Sequence, residues 1–288
     1  MNKKTLKVIL FFLLPILVIT FNIVFAEIHK PYYNKKLSPV ILVPGSSASV
    51  NRFDKTTATI NKHTKHHHSL LKIKVNKNNK LHITGKINPN DKEPFVVIGF
   101  QNNKDGYKNI KEQAKQYELA FHWLYKKYHF TTFKAMGHSN GGLILTLWLE
   151  TAYHRNYGRY PKIKKLITVG TPFNFEENSI NHETLMLHDL RKNRNKLPSS
   201  LRVMSVGGTS SYESDGIVRE GSYQCAKYVF QNHVKKFTMI TITGDDSKHS
   251  DLPTNQQVIS IMEQHLIDDK SAKLYQLKQE ESQDENNE

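Results

Sequence analysis

Short apolar runs separated by polar stretches recur along most of this chain, and the spacing inside the runs switches between two periods. Val40-Ile41-Leu42-Val43, residues 94–100, 133–136, 164–171, 202–206 and 237–243 are near-continuous apolar segments or nearly so. Such runs suit strands covered on both faces, as in a parallel sheet. Between them the period lengthens to that of a helix: Ile110, Ala114, Tyr117, Phe121, Leu124 and Tyr128 fall on one stripe. Residues 143–149 and 257–267 read as two more helices. Strand and helix in alternation predict a mostly parallel central sheet flanked by helices and joined by right-handed crossovers. Two stretches depart from the rhythm. Leu71-Lys72-Ile73-Lys74-Val75 and Leu81-His82-Ile83 alternate apolar and polar residues around a polar turn, which predicts a β-hairpin excursion with one wet face. Residues 173–200 carry little strand pattern, with a small amphipathic helix expected around Leu185-Met186-Leu187 and Leu190.

The segment after residues 133–136 is the one with chemistry in it. Gly137-His138-Ser139-Asn140-Gly141 fits G-x-S-x-G, and an apolar helix follows at once in Leu143-Ile144-Leu145. A strand that turns directly into a helix brings the two backbones together, so side chains are excluded on either side of the central residue. This is the nucleophile elbow of α/β-hydrolases, with Ser139 at its apex. The helix also points its free N–H groups at the serine, where negative charge develops during acyl transfer.

Two later strands end in polar loops, one holding Asp215 and the other His249. The order serine, acid, histidine is that of the α/β-hydrolase triad and differs from two other triad orders on unrelated folds. A serine hydroxyl needs a neutral imidazole to take its proton, and a carboxylate to hold that imidazole in the right tautomer. Asp245, Asp246 and Asp251 lie closer to His249 in sequence, but they share its loop; a neighbouring strand's loop reaches Nδ1 more readily. The Gly/Ser-rich turn Pro44-Gly45-Ser46-Ser47 after the first strand offers a backbone N–H at Ser46, and Asn140 supplies a second, as an oxyanion hole. The insertion at 173–200 is then expected as a small cap over an acyl pocket.

These segments together resemble the exported α/β-hydrolases of lactic-acid bacteria and other Firmicutes grouped as the DUF915 family. The resemblance rests on Val43-Pro44-Gly45-Ser46-Ser47-Ala48, Asn51-Arg52-Phe53-Asp54, the elbow, Gly170-Thr171-Pro172-Phe173-Asn174, Ser214-Asp215-Gly216-Ile217-Val218 and His249-Ser250-Asp251-Leu252-Pro253. It implies an α/β-hydrolase fold with Ser139, Asp215 and His249 as its triad. It narrows the reaction more than the substrate. Many relatives have His-Gly ahead of the oxyanion residue, where this chain has Pro44-Gly45.

Composition changes the picture at the edges. The 288 residues, 38% of them hydrophobic, suffice for one sizeable core. Residues 1–26 read as an export signal or N-terminal anchor: Lys3, Lys4 and Lys7, then an apolar run, then Val24-Phe25-Ala26. The hydrolase domain is expected over residues 27–267, and residues 268–288 as an acidic, disordered tail. The net charge of +15 is spread along the chain without a nucleic-acid-binding motif, so an anionic envelope or membrane surface is the expected partner, not nucleic acid. The single Cys225 excludes a disulfide framework. His63, His66, His67 and His68 lie among lysines and are expected to hold no metal, and no cofactor is expected. The reading is an exported serine hydrolase of acyl or lipid-like esters. Its rivals are a peptidase or amidase on the same triad, and a non-catalytic envelope-binding protein.

Overall fold

The described residues pack as two helical layers around an eight-stranded sheet with strand order β3-β2-β4-β1-β5-β6-β7-β8. The computed structural model describes residues 37–268, together with the isolated positions Pro15 and Thr20. The expected export segment (apart from those two positions) and the tail beyond Asp268 therefore lie outside the described residues. The chain divides into Met1–Tyr33 and Asn34–Glu288, and residues 37–268 belong to the second unit. Among the described residues no helix is long and apolar enough to cross a membrane.

In chain order the elements are β1 (Val40–Val43), α1 (Asp54–His63), β2 (Leu70–Val75), β3 (Leu81–Gly85), β4 (Phe95–Phe100), α2 (Tyr107–Tyr128), β5 (Thr132–His138) and α3 (Asn140–Trp148). They continue with β6 (Lys162–Val169), α4 (Leu185–Asn193), β7 (Arg202–Thr209), α5 (Glu220–Gln224), α6 (Ala226–Phe230), β8 (Lys236–Thr243) and α7 (Gln256–Leu266). All neighbouring strands run parallel except β3, which returns antiparallel beside β2. The hairpin expected as an excursion is thus part of the sheet: β2 pairs with β4 from Leu70 to Val75, and β3 forms the edge. Its alternating pattern reflects an outer strand with Leu71, Ile73 and Val75 buried and Lys74 exposed.

The strand alternation sorts the core. Val40 and Leu42 of β1 join Phe53, Ile60, Val258 and Met262 under α1 and α7. Ile41 and Val43 point the other way, into the larger cluster built on α2, α3, α4 and α6. At its centre Trp148 packs against Tyr117 and Phe121, ring centroids 4.8 and 4.7 Å away, and donates its indole N–H to Glu118 at 2.5 Å. The stretch expected as a cap divides its residues. Met186, Leu187 and Leu190 of α4 are buried in this cluster, and only Phe175 and Glu176 of the insertion line the cleft described next.

The amino ends of the strands are closed by charge. Lys134 is fully buried on β5 and pairs with Glu93 and, at 3.1 Å, with Asp268. The backbone N–H of Asp268 donates to both Glu93 oxygens at 3.0 and 2.9 Å. Burial is the largest single influence and opposes ionisation of Asp268, but Lys134, Lys165 and Lys164 together outweigh it and hold the carboxyl below its ordinary range. Removing one member of such a buried pair typically costs about 3–5 kcal/mol, because the other charge is stranded.

Candidate active site

The sheet reverses its direction of growth at β1, which lies between β4 and β5. Loops leaving neighbouring strands there diverge to opposite faces and open a crevice at the carboxyl ends, the usual ligand position in such sheets. A cleft of about 640 Å³ occupies it, lined among others by Ser46, Arg52, Asp105, Ser139, Asn140 and His249. A larger hollow of about 1020 Å³ sits at the other end of the strands, where Ser38, Glu93 and Thr132 line it.

Ser139 stands between β5 and α3 with φ 55° and ψ −132°. A non-glycine residue held there is strained, a cost of roughly 1–3 kcal/mol that surrounding contacts must offset. They do so from three sides: Ser139 N–H donates to Val169 O at 2.8 Å, and Ser139 O accepts from Gly142 N–H at 3.0 Å and from Thr171 Oγ1 at 3.1 Å. The flanking glycines are required by space. A Cβ on Gly137 would lie 2.4 Å from Gly141 C, and one on Gly141 would lie 2.1 Å from Val43 O.

Asp215 and His249 arrive from the loops after β7 and β8. His249 Nδ1 lies 2.7 Å from Asp215 Oδ2, with Asp215 almost wholly buried. The second carboxylate oxygen, Oδ1, accepts from the N–H groups of Ile217 at 3.0 Å and Val218 at 2.7 Å. The two loops are also joined main chain to main chain, His249 N–H donating to Asp215 O at 2.8 Å. The carboxylate is thereby fixed in place and its charge partly balanced by these N–H groups. Asp245, Asp246 and Asp251, the closer acids in sequence, are all exposed.

Sequence reasoning did not single out His138, and it named Asn140 only for its backbone N–H, not for its side chain. His138, directly before the serine, is buried with its ring 4.8 Å from that of His249. Its Nε2 lies 3.0 Å from the carbonyl oxygen of His249, an atom that only accepts, so Nε2 carries the proton. Burial, reinforced by His249 and Arg52, lowers its pKa far below the ordinary imidazole value and keeps it neutral. The side chain of Asn140 donates to Ser46 Oγ and to Asp105 Oδ1, both at 2.6 Å, and so ties the β1 loop to the elbow. Polar residues at a motif's variable positions carry no sequence pattern, which is why these contacts were invisible.

The Gly/Ser turn lies against the elbow: Ser46 lines the cleft, and a Cβ on Gly45 would be 2.5 Å from Ser139 Cβ. Asn140 is the first residue of α3, so its N–H is one of the helix's unpaired donors.

The clustered histidines lie elsewhere. His63 Nδ1 is 2.8 Å from Glu263 Oε1, while His68 is buried edge-on to Phe95 with Nδ1 3.4 Å from Asp91. Among the described residues no group of three or more His, Cys, Asp or Glu is placed to hold a metal ion. Cys225 is buried away from the cleft, and burial pushes its thiol up to about 11.

A family model described as an α/β-hydrolase of unknown function (DUF915) matches residues 27–269. Among solved structures, a protein of Lactobacillus plantarum WCFS1 provisionally named a cell surface hydrolase is 45% identical. The match covers 84% of this chain and 96% of that one, with a TM-score of 0.76. The product of a Listeria innocua gene is 25% identical over 81% of this chain and 94% of that one, with a TM-score of 0.72. A search of curated proteins found no match.

Proposed function

We propose that this chain, which belongs to the DUF915 family of α/β-hydrolases, is an exported serine hydrolase that cleaves carboxylic esters through an acyl-enzyme on Ser139. The observation that carries the reading is the 2.7 Å contact of His249 with the buried Asp215, on the wall of the cleft that also holds the strained Ser139. The N-terminal pattern of residues 1–26 and a family match that begins at residue 27 support export. So does the similarity to a Lactobacillus protein named for the cell surface.

In the proposed reaction His249 Nε2 takes the proton of Ser139 Oγ as the oxygen attacks the ester carbonyl. Asp215 accepts the hydrogen bond of Nδ1–H and stabilises the imidazolium. The N–H groups of Ser46 and Asn140 receive the oxyanion. Collapse breaks the carbonyl–alkoxide bond, and the same proton passes from His249 to the leaving alcohol. Water, deprotonated by His249, then attacks the acyl-enzyme and releases the acid and Ser139. An amide could enter the same sequence, and p-nitroanilides run beside p-nitrophenyl esters separate the two.

The experiment is labelling with a fluorophosphonate probe. Wild type is expected to be labelled at Ser139, and Ser139→Ala to fold normally, take up no label and lose roughly 10⁶-fold in kcat, as other triads do. Equal labelling of both proteins would sink the reading.

A further inference from the structure

The cleft contains a cation that the hydrolytic sequence does not use. Arg52, just before α1, lines it half-buried, and Nη2 donates to Ser250 O at 2.5 Å. A guanidinium has five N–H donors and stays charged. Among the described residues it has no carboxylate within 4 Å, and Ser250 O is its one side-chain hydrogen-bond acceptor. Burial lowers its pKa, opposed only at a distance by Asp251. Holding a cation in a cleft without a partner is unfavourable, and such groups mark places where a ligand completes the pairing.

Its attachment to the His249 loop suggests which part of the ligand that is. Ser250 follows His249, the residue that returns a proton to the leaving alcohol. The guanidinium bonded to Ser250 O is thus tied to the loop that carries His249, and Ser49 and Asn51 line the same cleft. Two carboxylates, Asp105 and Glu176, also line the cleft, but both are exposed and screened by water.

We propose that Arg52 is a specificity residue that binds an anionic group, carboxylate or phosphate, carried by the alcohol portion of the ester. The assignment rests on the ester-hydrolase reading above. Planar, forked donors suit both anions, and Lys does not replace them fully.

The test compares three acetyl esters that differ only in the alcohol: 4-acetoxybenzamide, 4-acetoxybenzoate and 4-acetoxyphenyl phosphate. Wild type is expected to show a higher kcat/KM on one or both anionic esters, by about 10–100-fold as for hydrogen bonds to charged groups. Arg52→Gln brings the anionic-to-neutral ratio close to one, mainly through KM, and Arg52→Lys restores part of it. Which anion loses more identifies carboxylate or phosphate as the preferred group. No anionic preference in wild type, or an equal fall on all three esters in Arg52→Gln, overturns the assignment and leaves Arg52 as a brace for the His249 loop. That result with Ser139 still labelled by fluorophosphonate spares the ester reading. No cleavage of any ester together with no labelling overturns both.

Discussion

Asp215 is the residue on which the proposed chemistry is easiest to break without breaking the fold. Its Oδ2 faces His249 while Oδ1 holds two backbone N–H groups, so Asp215→Asn removes charge and tautomer control but keeps most of the shape. The expected result is a fall in kcat of up to about 10⁴-fold, with near-normal thermal stability. Asp245→Asn, Asp246→Asn and Asp251→Asn are expected to retain most activity, since all three are exposed. Collapse of one of those three, with Asp215→Asn near wild type, would mean the acid is another residue. At this scale the sequence was informative where chemistry restricts residue type. The elbow needs glycines, and Asp215 stands out through its place after a strand and before Gly216. His138 and the Asn140 side chain were hidden because their contacts depend on loops 111 and 35 residues away along the chain.

Among the elements, the end of α3 stores an unfavourable group. The helix passes into a π-helical turn, Leu149–Tyr153, where Glu150 is fully buried with neither oxygen hydrogen-bonded. Burial raises its pKa well above the ordinary value; Lys196 opposes the shift, and Asp189 adds to it. A carboxyl whose folded pKa exceeds its unfolded one favours the fold most below the unfolded value, about 4.3. That contribution is lost as pH rises toward the folded pKa. Glu150→Gln removes the titration, so its melting temperature relative to wild type is expected to rise between pH 5 and pH 8. A constant difference across that range would show that Glu150 does not titrate differently on folding. Strands and long helices were readable because burial on two faces or one leaves a periodic trace. The pair α5 and α6 left none: each is five residues long, too short to complete two turns of a stripe. The hairpin's alternation was read correctly as β-structure, but alternation does not say which strand will be its neighbour. The insertion's small helix was legible too, and its apolar side went into the common core rather than over the cleft.

Taken as a whole, the molecule carries its charge without a single concentrated motif. Loss of residues 1–26 removes Lys3, Lys4 and Lys7 and lowers the net charge from +15 to +12. If export proceeds as proposed, mass spectrometry of secreted protein will find the chain starting near Glu27. An intact Met1 segment on membrane-bound protein would favour retention as an anchor instead.

The charged closure at Lys134 has a geometric consequence. Ser38, whose N–H donates to Lys92 O at 2.7 Å, and Asp268, held on Glu93, enter and leave the body at the same pole. The cleft with Ser139 opens at the opposite pole, beyond the carboxyl ends of the strands. The described body therefore begins and ends at one face and presents its candidate chemistry from the other, so that neither of its two ends crowds the mouth of the cleft.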